Sequence, residues 1–176
     1  MNCMDKRISR EECEELYKEY GTPAHVIGHC RAVCHVALTI AEKMNENGAN
    51  LDLALIEGAA LAHDVARVEE DHGGVGAKIL EARGYYDEAA IVRVHMRYDL
   101  NGFDNLNETD MVCLGDRLVK EDKYVGLDER IQYILDKVPR KSPEARDHIL
   151  KTKDKTKALL DRIGEYIGQS VDSLFE

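Results

Sequence analysis

The stretch Leu61-Ala62-His63-Asp64-Val65-Ala66-Arg67 comes after Ile56, Ala59 and Ala60, and its reading decides the fold. Leu53, Ile56, Ala59, Ala60 and His63 recur at spacings of three and four, which predicts a helix from about Asp52 to Ala66 with these residues on its inner side. That helix carries a histidine and a carboxylate into apolar surroundings, where both cost free energy unless a partner satisfies them. A metal ion would satisfy both together.

Working outward, the same periodicity covers nearly the whole chain. Ser9 and Glu12 form a capping-box pair ahead of Cys13, Leu16, Tyr17 and Tyr20, a helix ending at Gly21. Thr22 followed by Pro23 reads as an N-cap with proline at the first helical position. Val26, His29, Val33, Val36, Ile40 and Met44 then continue to Asn47-Gly48. Asp71 caps a segment ending at Arg83-Gly84, and Asp87 opens a helix holding Ile91, Val94, His95 and Tyr98. Asn107 caps a helix through about Lys120, another spans roughly Leu127 to Val138, and Ser142-Pro143 starts a long last one. Strand signals are nearly absent, and no repeat or linker appears. The expectation is one all-α domain of about eight helices, with its core over about 12–137 and a C-terminal helix over about 142–168.

Composition sets the outer bounds. A chain of 176 residues with 44% hydrophobic and 33% charged side chains has the make-up of one globular domain. A formal charge of −10 argues against a nucleic-acid polymer or an anionic membrane as partner, because both require clustered Lys and Arg. The N-terminus lacks the apolar core of a signal peptide, and no run approaches the roughly 20 apolar residues that cross a bilayer. A cytoplasmic protein is expected. Cys3, Cys13, Cys30, Cys34 and Cys113 show no Cys-x-x-Cys spacing, so neither a disulfide framework nor a thiolate zinc site is indicated, and most of them read as small buried hydrophobes.

Six residues lie on inward faces or helix ends where a purely structural protein would favour Leu or Ala: His29, His63, Asp64, His72, His95 and Asp116. Taken singly, each has a bland reading; His29, for example, could be a satisfied core histidine. Taken together, those readings require coincidences on five helices. Four imidazoles and two carboxylates suit Fe, Mn, Ni or Zn better than Ca. His35 and His148 read as solvent-facing, and His25, one turn before His29, reads as an exposed first-turn histidine in preference to one supporting the site or facing a substrate. Tyr98, Asp99 and the loop to Asn107 are candidates for bordering a pocket.

The order His29, then His63-Asp64, then Asp116 resembles the HD-domain superfamily of metal-dependent phosphohydrolases. Val33, Ala37 and Ile40-Ala41 after the first histidine, and Ala59-Ala60-Leu61-Ala62 before the pair, extend the likeness over roughly Glu12 to Lys137. The resemblance implies an all-helical fold in which His29, His63, Asp64 and Asp116 hold one divalent metal. His72, in Asp71-His72-Gly73-Gly74, and His95, in Ile91-Val92-Arg93-Val94-His95, match the two further histidines of dinuclear members, so Asp64 would bridge two ions. The cofactor is then one or two ions of Fe, Mn, Ni, Mg or Zn. Many relatives carry a lysine three residues after the aspartate, where this chain has Arg67. Arginine can hold a phosphate bidentately but cannot act as a proton donor.

The implied activity is hydrolysis of a small phosphoester or nucleotide by a hydroxide generated at the metal, with Asp64 and Arg67 as the catalytic pair. Arg67, Arg97 and Lys120 are the expected substrate-binding cations. A dinuclear iron oxygenase with the same ligand set and a non-catalytic, metal-stabilised binding module are the alternatives. The Tyr124 to Leu135 segment reads equally as a homodimer face or as an ordinary amphipathic helix.

Overall fold

The computed structural model describes residues 6–139 and 142–176. Cys3 lies outside them; Cys13, Cys30, Cys34 and Cys113 are free and buried. Eight α-helices form the described residues' framework: α1 (Arg10–Glu19), α2 (Ala24–Glu46), α3 (Leu53–Ala62), α4 (His72–Glu81), α5 (Tyr86–Val94), α6 (Glu108–Asp116), α7 (Gly126–Lys137) and α8 (Pro143–Ile167). The fold is the expected all-α bundle. Its centre is α2, which packs against α3 and α6, while α4 packs along α5 and α7 along α8.

Several helix boundaries follow from local capping residues. Ser9 and Glu12 make the reciprocal capping box of α1, Asp52 caps α3 by accepting from Leu55 N, and Asn107 with Asp110 forms a second box at α6. Other boundaries differ from the sequence reading, each for a physical reason. The N-cap of α2 is Pro23, because the Thr22 hydroxyl is engaged elsewhere, donating to Val65 O at 2.8 Å. Helix α3 stops at Ala62, four residues short of expectation: Tyr17 donates its hydroxyl to Leu61 O and Thr22 to Val65 O, so the chain there turns instead of winding on. Helix α6 ends at Asp116, and a two-stranded antiparallel hairpin, β1 (Val119–Lys120) and β2 (Lys123–Tyr124), replaces its predicted last turn. Glu121 takes the tight turn with φ of 57°. Helix α5 gives way to a 3₁₀ turn, His95–Arg97, so His95 and Tyr98 lie beyond its end.

By length and mean hydropathy (1.2 over its most apolar window), α2 is a helix that could cross a membrane, contrary to the sequence expectation of no such run. Here its apolar face, including Val33, Val36, Ala37 and Ile40, is buried in the bundle core. Along α7, Leu127, Ile131 and Leu135 are likewise buried, so the apolar stripe of this helix serves the chain's own core.

Two close approaches set the positions of site residues. A Cβ at Gly115 would stand 3.0 Å from Val33 O, tighter than most Cβ contacts, so glycine lets α6 lie this near α2 without displacement. A Cβ at Gly73 would stand 3.2 Å from Val92 O, which draws the start of α4 onto the end of α5.

Candidate metal centre

The six inward residues converge on one point. Asp64 Oδ2 lies 3.6 Å from His63 Nε2 and 3.9 Å from His29 Nε2, whereas Asp64 Oδ1 lies 3.3 Å from both His72 Nε2 and His95 Nε2. Asp116 Oδ1 sits 2.9 Å from His29 Nε2 and 3.7 Å from His63 Nε2. Ligands each about 2.0–2.1 Å from a common ion stand about 3.0–3.5 Å apart in tetrahedral or octahedral geometry, and most of these separations fall in or near that range.

The rear nitrogens of three histidines are already committed. Nδ1 of His63 faces Ala60 O at 2.7 Å, Nδ1 of His95 faces Val92 O at 2.6 Å, and Nδ1 of His29 faces Glu121 O at 2.7 Å. Carbonyl oxygens only accept, so each Nδ1 carries the proton and each Nε2 is left to face the centre. Nε2 of His63, His72 and His95, together with Asp64 Oδ1, are buried atoms with no hydrogen-bond partner among the described residues. Four such orphans around one point are atoms that a shared cation would satisfy together. The donor set fits a divalent metal, and the residues fall into two groups sharing Asp64: His29, His63 and Asp64, and Asp64, His72 and His95.

The electrostatics of the metal-free chain agree. Burial opposes ionisation of Asp64, but the charge of His63 and the close imidazoles of His72 and His95 outweigh it and hold the carboxyl far below its ordinary range. Burial likewise opposes ionisation of Asp116, yet the hydrogen bond from His29 and the charge of His63 bring it to about 2. His29 has acceptors at both nitrogens; despite desolvation, its contacts with Asp116 raise it above the usual imidazole value. His95 is raised by Asp64, and His63, buried to 1% exposure, is lowered chiefly by desolvation.

The centre opens on a cavity of about 1070 Å³. His29, Asp64 and Asp116 lie in its wall with Arg67, whose Nε is 3.8 Å from Asp64 Oδ2. Of the three expected substrate cations, the structure brings only Arg67 to this cavity. Arg97 is exposed and lines a separate depression with His72, Tyr98 and Asp99. Lys120 sits on the hairpin, 3.9 Å from Glu129 Oε1. His25 is exposed, as expected, and lies at the cavity rim; His35 and His148 are exposed. Sequence reasoning missed Arg130, Tyr133 and Lys137, which line the cavity from α7. Their i, i+3 and i+7 spacing marked a shared helix face, but nothing in the sequence said which cavity that face meets. It also missed Tyr17 and Thr22, which hold the turn carrying the His-Asp pair.

Against known proteins, residues 26–159 match the family model described as HD domain. The chain is 34% identical over 88 residues to a tRNA (cytidine(56)-2'-O)-methyltransferase of Thermoplasma volcanium, covering 48% of this chain and 25% of that protein. It is 32% identical over 71 residues to the uncharacterized protein MJ0778 of Methanocaldococcus jannaschii, covering 39% of this chain and 42% of the relative. The chain therefore spans less than half the length of either curated relative. No solved structure matches it. The family match takes in the His-Asp turn and every other residue gathered at the centre, and on that ground the chain belongs to the HD-domain family.

Proposed function

We propose that this protein is a metal-dependent phosphohydrolase that cleaves a small phosphorylated molecule, water adding to phosphorus as the bond to the leaving oxygen breaks. The observation that carries the reading is Asp64, whose two oxygens face two different pairs of histidine nitrogens, beside a cavity of metabolite size. Bound divalent ions would lower the pKa of a water and offset charge on the phosphoryl oxygens. His29, His63, Asp64 and Asp116 would hold one ion, and Asp64, His72 and His95 a second.

The chain's own groups do the rest. The carbonyls of Ala60, Val92 and Glu121 fix the imidazole tautomers, so the ligand nitrogens are oriented before substrate arrives. Arg67 offers a planar fork at the cavity wall, suited to a non-transferred phosphoryl oxygen. It stays charged throughout and so positions and neutralises without exchanging a proton. An overall charge of −10 is compatible with an anionic substrate because the cations are local to the cavity.

The test is elemental analysis of the purified protein together with a phosphoester and nucleotide screen in Mn and in Fe. Bound metal with turnover that Asp64→Asn abolishes is the expected result. Turnover that requires dioxygen, or full metal occupancy without turnover across the panel, would overturn it. The methyl transfer named for the Thermoplasma protein belongs to a chain of which the match covers a quarter.

A further inference from the structure

The cavity that opens on the metal centre has a second charged wall. Helix α7 lines it with Arg130, Tyr133, Ile134 and Lys137. Three cations gather on the Tyr133 ring: Lys137 Nζ at 4.0 Å from its centroid, Lys120 Nζ at 5.0 Å and Arg130 Cζ at 5.4 Å. Lys137 also donates to the Tyr133 hydroxyl. Of the three, only Lys120 has a carboxylate within 4 Å among the described residues, Glu129 at 3.9 Å. Two further carboxylates in the cavity wall, Glu121 and Asp122, are exposed and pair with none of them.

This arrangement is unfavourable as it stands. Like charges repel across such distances, and the face of one aromatic ring offsets only part of that. Arg130 adds a sharper sign: its Nε is buried and has no hydrogen-bond partner. A buried guanidinium N–H without an acceptor in a chain rich in carboxylates is a donor that a ligand's acceptor would satisfy. A guanidinium fork beside an ammonium suits an oxyanion, phosphoryl or carboxylate.

We propose that α7 carries a second anion subsite, Arg130 with Lys137, and that the substrate is a small molecule bearing two separated anionic groups. One is the phosphoryl group at the metal centre and the other is held on α7, with the body of the molecule lying over Tyr133. The proposal rests on the phosphohydrolase reading for the first group only; the second subsite stands on the α7 geometry.

Binding, read without turnover, tests it. Metal-loaded protein is titrated calorimetrically with α,ω-alkanebisphosphonates of increasing length, with the matching ω-carboxyalkylphosphonates and with simple alkylphosphonates; their C–P bonds exclude hydrolysis. At one length the doubly anionic probe should bind at least about tenfold tighter than the singly anionic one, a modest gain for two linked contacts. That ratio should collapse towards one in Arg130→Gln and in Lys137→Gln, and Arg130→Lys should keep part of it. Lys151→Gln, the same charge change on an exposed position of α8, should keep all of it. Lys137 is exposed on the last turn of α7, so its variant carries the test even where the Arg130 variant fails to fold. The two doubly anionic series decide whether phosphoryl or carboxylate is preferred.

A probe series with no length tighter than the alkylphosphonates would overturn the subsite, as would an advantage that survives both glutamine variants. If no phosphoester is hydrolysed while the advantage holds, the phosphohydrolase reading falls and the subsite stands. Hydrolysis without the advantage gives the reverse.

Discussion

The two halves of the candidate metal centre share Asp64 and differ in how the chain builds them. One half takes His29 from α2, His63 from the end of α3 and Asp116 from the end of α6, residues as much as 87 positions apart. The other takes His72 from the start of α4 and His95 from the turn after α5, two elements packed along one another. The first half is wetter and richer in oxygen: the His29 and Asp116 side chains keep 17% and 25% exposure at the cavity. The second is dry, with side-chain exposures of 6% for His72 and 1% for His95, and its only carboxylate is the shared one. A half with two carboxylates holds a cation more strongly than a half with one, so the two sites should differ in affinity although they touch through a single aspartate.

The change that breaks both halves together should have the largest effect. Asp64→Asn removes the charge from the bridging position, and elemental analysis should find metal lost from both sites, with turnover down at least about 10²–10³-fold, the cost typical of removing one group that meets transition-state charge. A variant retaining one tight equivalent of metal would show that Asp64 does not bridge. The next change separates the halves. His72→Ala or His95→Ala should lower bound metal from two equivalents to one, whereas His63→Ala should release the tighter ion and, by competition with a chelating dye, give the larger drop in affinity. Equal losses from either side would erase the distinction.

How much of this could be read from the sequence follows the same division. Ser9, Asp52, Asp71 and Asn107 cap their helices as their residue types require, because capping is decided within a few residues. The six ligand-type residues stand out because polar side chains at inward positions need a partner wherever the helices cross. What escaped depends on contacts between distant elements. The early stop of α3 depends on Tyr17 and Thr22, more than 40 residues away, and the hairpin at Val119–Tyr124 interrupts a stretch whose apolar residues read equally well as a helix end. Arg97 and Lys120 were named as charges near histidines and aspartates in the chain, but the crossing of helices decides which charges share a cavity. That crossing brought in Arg130 and Lys137 instead.

Two glycines, each next in the chain to a candidate ligand, sharpen the comparison without altering a ligand side chain. Gly115→Ala places a methyl 3.0 Å from Val33 O and must push α6 from α2, displacing Asp116 beside it; Gly73→Ala places one 3.2 Å from Val92 O and must part His72 from His95. Each should cost about 1–3 kcal/mol of stability by overpacking, measured by urea unfolding of the metal-free protein. The discriminating result is in the metal titration: Gly115→Ala should weaken the first ion and Gly73→Ala the second. Losses at the opposite site, or at neither, would mean that these close approaches do not set ligand positions.

The smallest expected effect isolates the carboxylate that the second half lacks. Asp116 titrates in the folded, metal-free chain at about 2 against 3.8 for an unperturbed aspartate, so its ionised form is favoured by folding. A depressed carboxyl contributes stability that is fully present above the unfolded value and is lost as the pH falls through the folded one. Its share should therefore disappear between 3.8 and about 2. Asp116→Asn removes that proton linkage and leaves Asp64 in place, so thermal unfolding of the chelator-treated protein should lose less over this window in the variant than in the wild type. A difference of roughly 2–4 °C is what about 1 kcal/mol produces in a chain of this size. Parallel acid limbs would show that His29 and His63 do not hold Asp116 ionised without metal, and the first half would then owe its strength to the cation rather than to a charge pattern already set in the empty fold.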